Sequence, residues 1–134
     1  SILCQPSDSG MLRIRYELSL SEFHLPDQFV ELDITDEAFL NKIAPARTFI
    51  HTSQADGLRA KGFGKGANID NTLLLGSADS TERVENEAAM HKITDMLGDL
   101  CALGFQLSAN VVARRSGHKL NNMLLAALAR QLCL

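Results

Sequence analysis

The chain has 134 residues, 46% of them hydrophobic and 22% charged, which suits one soluble globular domain with a real core and excludes a disordered polypeptide. Sixteen acidic residues against thirteen Lys and Arg give a formal charge of −3, so there is no basic face to recommend nucleic acid as a partner. Cys4, Cys101 and Cys133 form neither a disulfide framework nor a CxxC pair, no apolar run reaches the length of a membrane span, and no signal peptide opens the chain; the expectation is a reducing, cytoplasmic setting without a transmembrane segment.

In chain order, Pro6–Gly10 carries turn chemistry and reads as a lead-in loop. Met11–Leu20 alternates apolar and polar residues, the period of a half-buried strand, and Gln28–Ile34 repeats the signal more briefly. Thr35 is placed to cap a short helix over Asp36–Ile43, which Pro45 closes, and Ala46–Ile50 suggests another strand. The stretch from His51 to Ile69 holds Gly57, Gly62, Gly64 and Gly66 and fits a short helix followed by a tight turn. Its Gly64-Lys65-Gly66 lacks the full spacing of a phosphate loop and reads as an ordinary turn.

Asn71–Gly76 reads as a buried strand, and Ser77–Asn86 as a polar connection. The two strongest helices follow. Glu87–Leu103 stops at Gly104, a natural C′ residue. Gln106–Arg115 is a strand by alternation, and Ser116 caps a last helix over Gly117–Leu132 with Leu120, Leu124, Leu125 and Leu128 along one stripe. The expected fold is a single α+β domain over residues 1–134. It is a two-layer sandwich, a mixed β-sheet covered by two long helices, with a small helix/strand insert around residues 51–75.

The chemistry concentrates on the first long helix. His91, Asp95 and Asp99 follow one another at four-residue spacing, so they share a stripe, with Asp95 about 40° and Asp99 about 80° round from His91. Ile93, Leu97, Leu100 and Cys101 fall on another arc, at about 180° to 280°, which assigns Cys101 to the core. An imidazole and a carboxylate four residues apart can hold one divalent metal from a single rigid element, although a catalytic zinc wants at least three protein ligands. The same spacing also describes a plain solvated helix face. His118 lies just inside the next helix, where the positive end disfavours an imidazolium unless an anion answers it. Asp99 is the anion at hand, and a surface capping histidine is the alternative. Lys92 is placed to attract an anionic group, while His24 and His51 read as loop or surface residues, His51 being a remote further ligand.

Together these residues form a recognisable series: Ala-Arg-Thr-Phe at 46–49, GKGANIDN at 64–71, Asn86-Glu87, His-Lys-x-x-Asp-x-x-Gly-Asp-Leu at 91–100, and Ser-Gly-His-x-x-Asn-Asn at 116–122. The series resembles the second, C-terminal domain of the UDP-3-O-acyl-N-acetylglucosamine deacetylase family, the zinc enzymes of lipid A biosynthesis. The likeness covers nearly the whole chain. It implies that His91 and Asp95 are zinc ligands and that Asp99 and His118 are a catalytic pair, the histidine serving as acid or oxyanion stabiliser. It further implies that Lys92 contacts the sugar-nucleotide substrate, that Thr48 and Phe49 line the site, and that the His51–Ile69 insert forms an apolar passage for the acyl chain.

By the same resemblance, the third zinc ligand, a histidine, and the glutamate general base belong to an N-terminal domain that is absent from these residues. Met90 stands where the family commonly has arginine, Ile50-His51 where it has a glycine and an aromatic residue, and Ala67 where it has glycine; the last two fall in the acyl-passage region. The expected activity is removal of the N-acetyl group from UDP-3-O-acyl-N-acetylglucosamine once both halves are present. The alternative is a non-catalytic substrate-binding or protein-interaction domain that keeps the fold.

Overall fold

A computed structural model describes residues 1–131, so Leu132 and Cys133 of the sequence-based expectations lie outside the described residues. The elements are β1 (Ile2–Pro6), β2 (Leu12–Leu18), β3 (Gln28–Asp33), α1 (Asp36–Ala38), β4 (Thr48–His51), α2 (Thr52–Ala60), β5 (Thr72–Leu75), α3 (Glu87–Leu100), β6 (Ala109–Arg114) and α4 (His118–Gln131). The expected α+β sandwich is what forms. Its main sheet runs β1-β6-β2-β3 and is mixed, with β6 parallel to β2 and the outer pairings antiparallel. Among the described residues no helix is long and apolar enough to cross a membrane.

Period-two alternation decides which face of this sheet is covered. Ile14 and Tyr16 of β2, Val30 of β3 and Ala109, Val111 and Ala113 of β6 are buried on one side. The register places Ile14 beside Val111 and Tyr16 beside Val30 and Ala113, so the strands build one apolar layer. Ala89, Met90, Ile93, Met96 and Leu100 of α3 close over it, and α4 packs beside α3 and over β1. The opposite face is charged: Arg13 bonds Asp33 through two nitrogens at 2.7 and 2.9 Å, and Arg114 meets Glu17 at 2.8 Å.

One strand was not foreseen and one expectation changes. Ile2–Pro6, too short for a period to stand out, forms edge strand β1, whose ladder comes from β6 (Cys4 opposite Val111). Cys101 is exposed, not a core residue. The α-helix ends at Leu100 and tightens over Cys101–Leu103 into a 3₁₀ turn, and with fewer residues per turn Cys101 leaves the apolar stripe; Met96, inside the α-helix, is buried on that stripe. Gly104 ends the segment in the left-handed region, φ +73°, as the C′ reading requires.

The insert is a second, two-stranded parallel sheet of β4 and β5, crossed over by α2. His51 begins that helix. Its Nδ1 accepts the amide of Ser53 at 3.2 Å, and its ring stacks on Phe23 with centroids 4.3 Å apart. These contacts make it a cap and a packing residue. Gly76, φ +79°, lies against the same ring: a Cβ there would stand 2.8 Å from His51 Nε2.

The element ends are tied by Arg47 and Glu87, 8% and 0% exposed. Glu87 Oε1 accepts from the Arg47 backbone N–H and from Nε, both at 2.8 Å, and Oε2 accepts from Arg47 Nη2 at 2.9 Å and from the Arg83 amide at 2.7 Å. The rest of the guanidinium serves the carbonyls of Ile69 and Thr81. Burial pushes the Glu87 carboxyl up, but the hydrogen bonds from Arg47 and Arg83 outweigh it and hold the group below its ordinary 4.5.

Removing one partner strands a buried charge, so Glu87→Ala is expected to cost about 3–5 kcal/mol in urea unfolding at neutral pH. Because the folded value is depressed, this contribution is complete above pH 4.5 and is lost as pH falls through the folded value. The gap between wild type and variant therefore narrows on acidification; a gap that widens contradicts the assignment. Gly76→Ala is expected to cost about 1–3 kcal/mol in the same assay, since both the backbone angle and the His51 ring oppose a Cβ.

Candidate active site

Helix α3 carries most of the site because its sequence gives it two distinct faces. Its start is held from outside: Gln28 Oε1 accepts the Ala89 amide at 2.9 Å, and Asn86, in the left-handed region at φ +56°, donates from its side chain to the Phe29 carbonyl. Once the apolar face is seated on the sheet, His91, Asp95 and Asp99 are left along one edge, each about 6 Å further along the axis.

His91 Nε2 and Asp95 Oδ1 are 3.5 Å apart. His91 Nδ1 lies 3.4 Å from the Ala46 carbonyl, and a carbonyl only accepts, so the proton belongs on Nδ1 and Nε2 keeps its lone pair. Lys92 donates to Asp95 Oδ2, which leaves Oδ1 facing the imidazole. Zinc bonds of about 2.1 Å at a tetrahedral angle separate two ligand atoms by about 3.4 Å. The pair therefore fits two corners of a zinc site. Among the described residues, no group of three or more His, Cys, Asp or Glu side chains converges to complete one.

Phe49 meets the His91 ring edge-on, centroids 6.3 Å apart at 89°, and Thr48 is exposed beside it at the start of β4. The strand that supplies both begins directly after Arg47, so the buried ion pair also fixes this wall. Beyond it, Ile50, Ala55, Leu58, Phe63, Ile69 and Leu74 line an apolar groove in the insert. Phe63 and Ile69 are well exposed there. Lys65 and its flanking glycines form a turn closed by Ala67 N–H to the Gly64 carbonyl.

One turn beyond Asp95, Asp99 meets His118 across the α3–α4 contact. His118 Nδ1 is 2.8 Å from Oδ2 and 3.1 Å from Oδ1. A carboxylate only accepts, so Nδ1 carries the proton and Nε2 is the free edge of a ring 64% exposed. The start of α4 is fixed from the sheet, where the buried Tyr16 hydroxyl donates to the Ser116 carbonyl at 2.5 Å. The Ser116 hydroxyl lies 3.4 Å from the same Tyr16 oxygen; it turns to the sheet and not to the helix amides it was expected to cap. Arg115 enters this corner at φ +48° with its amide on the Glu17 carbonyl.

The structure thus brings His91, Lys92, Asp95 and Phe49 into one cluster and joins Asp99 to His118 a turn away. Sequence reasoning gave no role to Asn121, which donates to Asp99 Oδ2 at 2.8 Å. The available signal was its position, three residues after His118 on the same helical face. Nor did it pair Arg47 with Glu87, forty positions apart and each ordinary alone.

The chain matches, over residues 1–130, the model of the family described as UDP-3-O-acyl N-acetylglycosamine deacetylase. A UDP-3-O-acyl-N-acetylglucosamine deacetylase of Syntrophus aciditrophicus (strain SB) is 32% identical over 127 residues, 92% of this chain and 40% of that protein. The protein of the same name from Thermodesulfovibrio yellowstonii (strain ATCC 51303 / DSM 11347 / YP87) is 33% identical over 109 residues, 79% of this chain and 37% of that protein. The chain spans about two fifths of the length of these curated relatives. Matched along nearly its whole length by that family's model, this chain belongs to the UDP-3-O-acyl N-acetylglycosamine deacetylase family.

Proposed function

We propose that this chain provides two zinc ligands and the histidine–aspartate pair of a cytoplasmic amide hydrolase that removes the N-acetyl group from UDP-3-O-acyl-N-acetylglucosamine in lipid A biosynthesis. The observation that carries the reading is the succession on one helix of a ligand pair, His91–Asp95, and a carboxylate, Asp99, already bonded to the imidazole of His118. In this reading the third ligand and the general base come from protein beyond these residues.

His91 Nε2 and Asp95 Oδ1 would hold zinc, with the Ala46 carbonyl and Lys92 keeping each ligand atom turned to it. Zinc, when bound, supplies a Lewis acid for the amide carbonyl and a water of lowered pKa. His118, protonated on both nitrogens, donates from Nε2 to the oxygen that gains charge, or to the departing amine as the amide C–N bond breaks. Asp99 stabilises that imidazolium and keeps the ring from turning. Lys92 offers its ammonium to the sugar nucleotide, Thr48 and Phe49 bound the reacting group, and the acyl chain lies in the apolar groove of the insert. Acetate and the free amine are the products.

Titration of the 134-residue chain with zinc is expected to show weak binding of one ion, as two ligands allow, with negligible turnover. His91→Ala and Asp95→Ala should each weaken that binding at least about tenfold, a loss of about 1.4 kcal/mol or more; unchanged affinity rejects the ligand assignment. In the complete two-domain protein, His118→Ala is expected to lower kcat by about 10²–10⁴-fold. Turnover that survives this change would instead favour a domain that binds without catalysing.

A further inference from the structure

The side chain of Asn121 is 1% exposed, in the first turn of α4. Its amide nitrogen donates to Asp99 Oδ2 at 2.8 Å, the same oxygen that accepts from His118 Nδ1 at 2.8 Å. The amide can be oriented only one way, because turning it over would set its carbonyl against a carboxylate. Asn121 Oδ1 is also buried and finds no hydrogen-bond partner among the described residues. A buried acceptor left without a partner offsets roughly what the bond to Asp99 contributes. For stability alone, an apolar side chain of similar size would serve as well. Fold maintenance therefore does not account for the choice of residue here.

The geometry points to Asn121 as a positioning residue that fixes the Asp99 carboxylate and, through it, holds the His118 ring with its Nδ1–H on Asp99, an arrangement that in the neutral ring selects the Nδ1-protonated tautomer. Packing does not fix the His118 ring, which is 64% exposed against 18% for Asp99, so the carboxylate needs a buried partner of its own to hold the ring in place. The buried amide comes from the same helix as the imidazole, three residues on. It therefore sets the carboxylate plane relative to the ring it serves, and Nε2 is left free toward the reacting group. This inference rests on the roles proposed above for Asp99 and His118.

Long-range proton–nitrogen NMR of the His118 ring in the 134-residue chain, at a pH where the ring is neutral, tests it without relying on activity. Wild type is expected to show the Nδ1-protonated form. Asn121→Leu, which fills the space but donates nothing, should lower the ratio of Nδ1–H to Nε2–H at least about tenfold. A wild-type pattern in Asn121→Leu overturns the proposal, since packing would then be all that Asn121 provides. Should that variant not fold, Asn121→Ala is measured in the same way: a lowered ratio supports the proposal and a wild-type ratio overturns it. In the complete protein, Asn121→Leu is expected to lower kcat by about tenfold to hundredfold with KM little changed; a loss confined to KM overturns the proposal. Absence of deacetylase activity in the wild-type complete protein rejects the proposed function, whereas the tautomer ratio judges Asn121 whatever the reaction is.

Discussion

The buried bond between Arg47 and Glu87 is the constraint on which the rest of the site depends. Four pieces of chain converge on these two side chains. Arg47 ends the turn before β4, Glu87 begins α3, and the carbonyls of Ile69 and Thr81 and the amide of Arg83 bring in the insert and the connection after it. A buried pair of this kind contributes little net stability against an apolar substitute, because both ions lose their water. What it provides is a single arrangement, since few other packings satisfy all those partners. Ala46, whose carbonyl orients His91, and Phe49, whose ring flanks it, lie within two residues of Arg47. This contact therefore helps to set the position of α3 relative to the wall beside it, together with the packing of Ala88 on Leu73, Leu75 and Phe49.

Helix α3 shows how one element serves both packing and chemistry. Ile93, Met96 and Leu100 hold it on the sheet, and the four-residue repeat of His91, Asp95 and Asp99 runs along a different side. The first two groups face each other, while the third reaches to another helix. A rigid helix spaces them without strain, and the partners of each (Ala46, Lys92, His118) come from the backbone before β4, from α3 itself and from α4. Rotating α3 to bury any of these groups would pull Ile93 off the core, so the apolar stripe defends the polar one.

Much of this was legible from residue order because the features involved are local. The alternation of β2 and β6, the Thr35 cap, the glycine stop at Gly104 and the polar stripe of α3 are properties of neighbours in sequence, and each appears where expected. Pairings across the fold were not legible from spacing. Strand β1 is a strand only because β6 offers it a ladder. Cys101 leaves the core because the helix tightens from that residue onward. Asn121 and the Arg47–Glu87 bond have meaning only once α3 is laid beside α4 and β4. His51, read from the sequence as a loop or surface residue, caps α2 through Ser53 and stacks on Phe23, which a list of histidines does not show.

The parallel placement of β6 between β1 and β2 has a consequence for how the molecule is made. Central pairings join residues about a hundred positions apart: Tyr16 meets Ser116 across 100 residues, and Ser7 meets Ser108 across 101. Closing such long loops is slow compared with forming a helix or hairpin, because chain entropy is lost before the contact rewards it. During synthesis, β2, β3 and α3 leave the ribosome well before the strand that completes the sheet between β1 and β2. Until β6 arrives, β1 has no neighbour, the apolar side of β2 is only half covered, and Asp99 has no imidazole to bind. Sheet closure and assembly of the histidine–aspartate pair are then a single late event, so a nascent or truncated chain that stops short of residue 114 has neither.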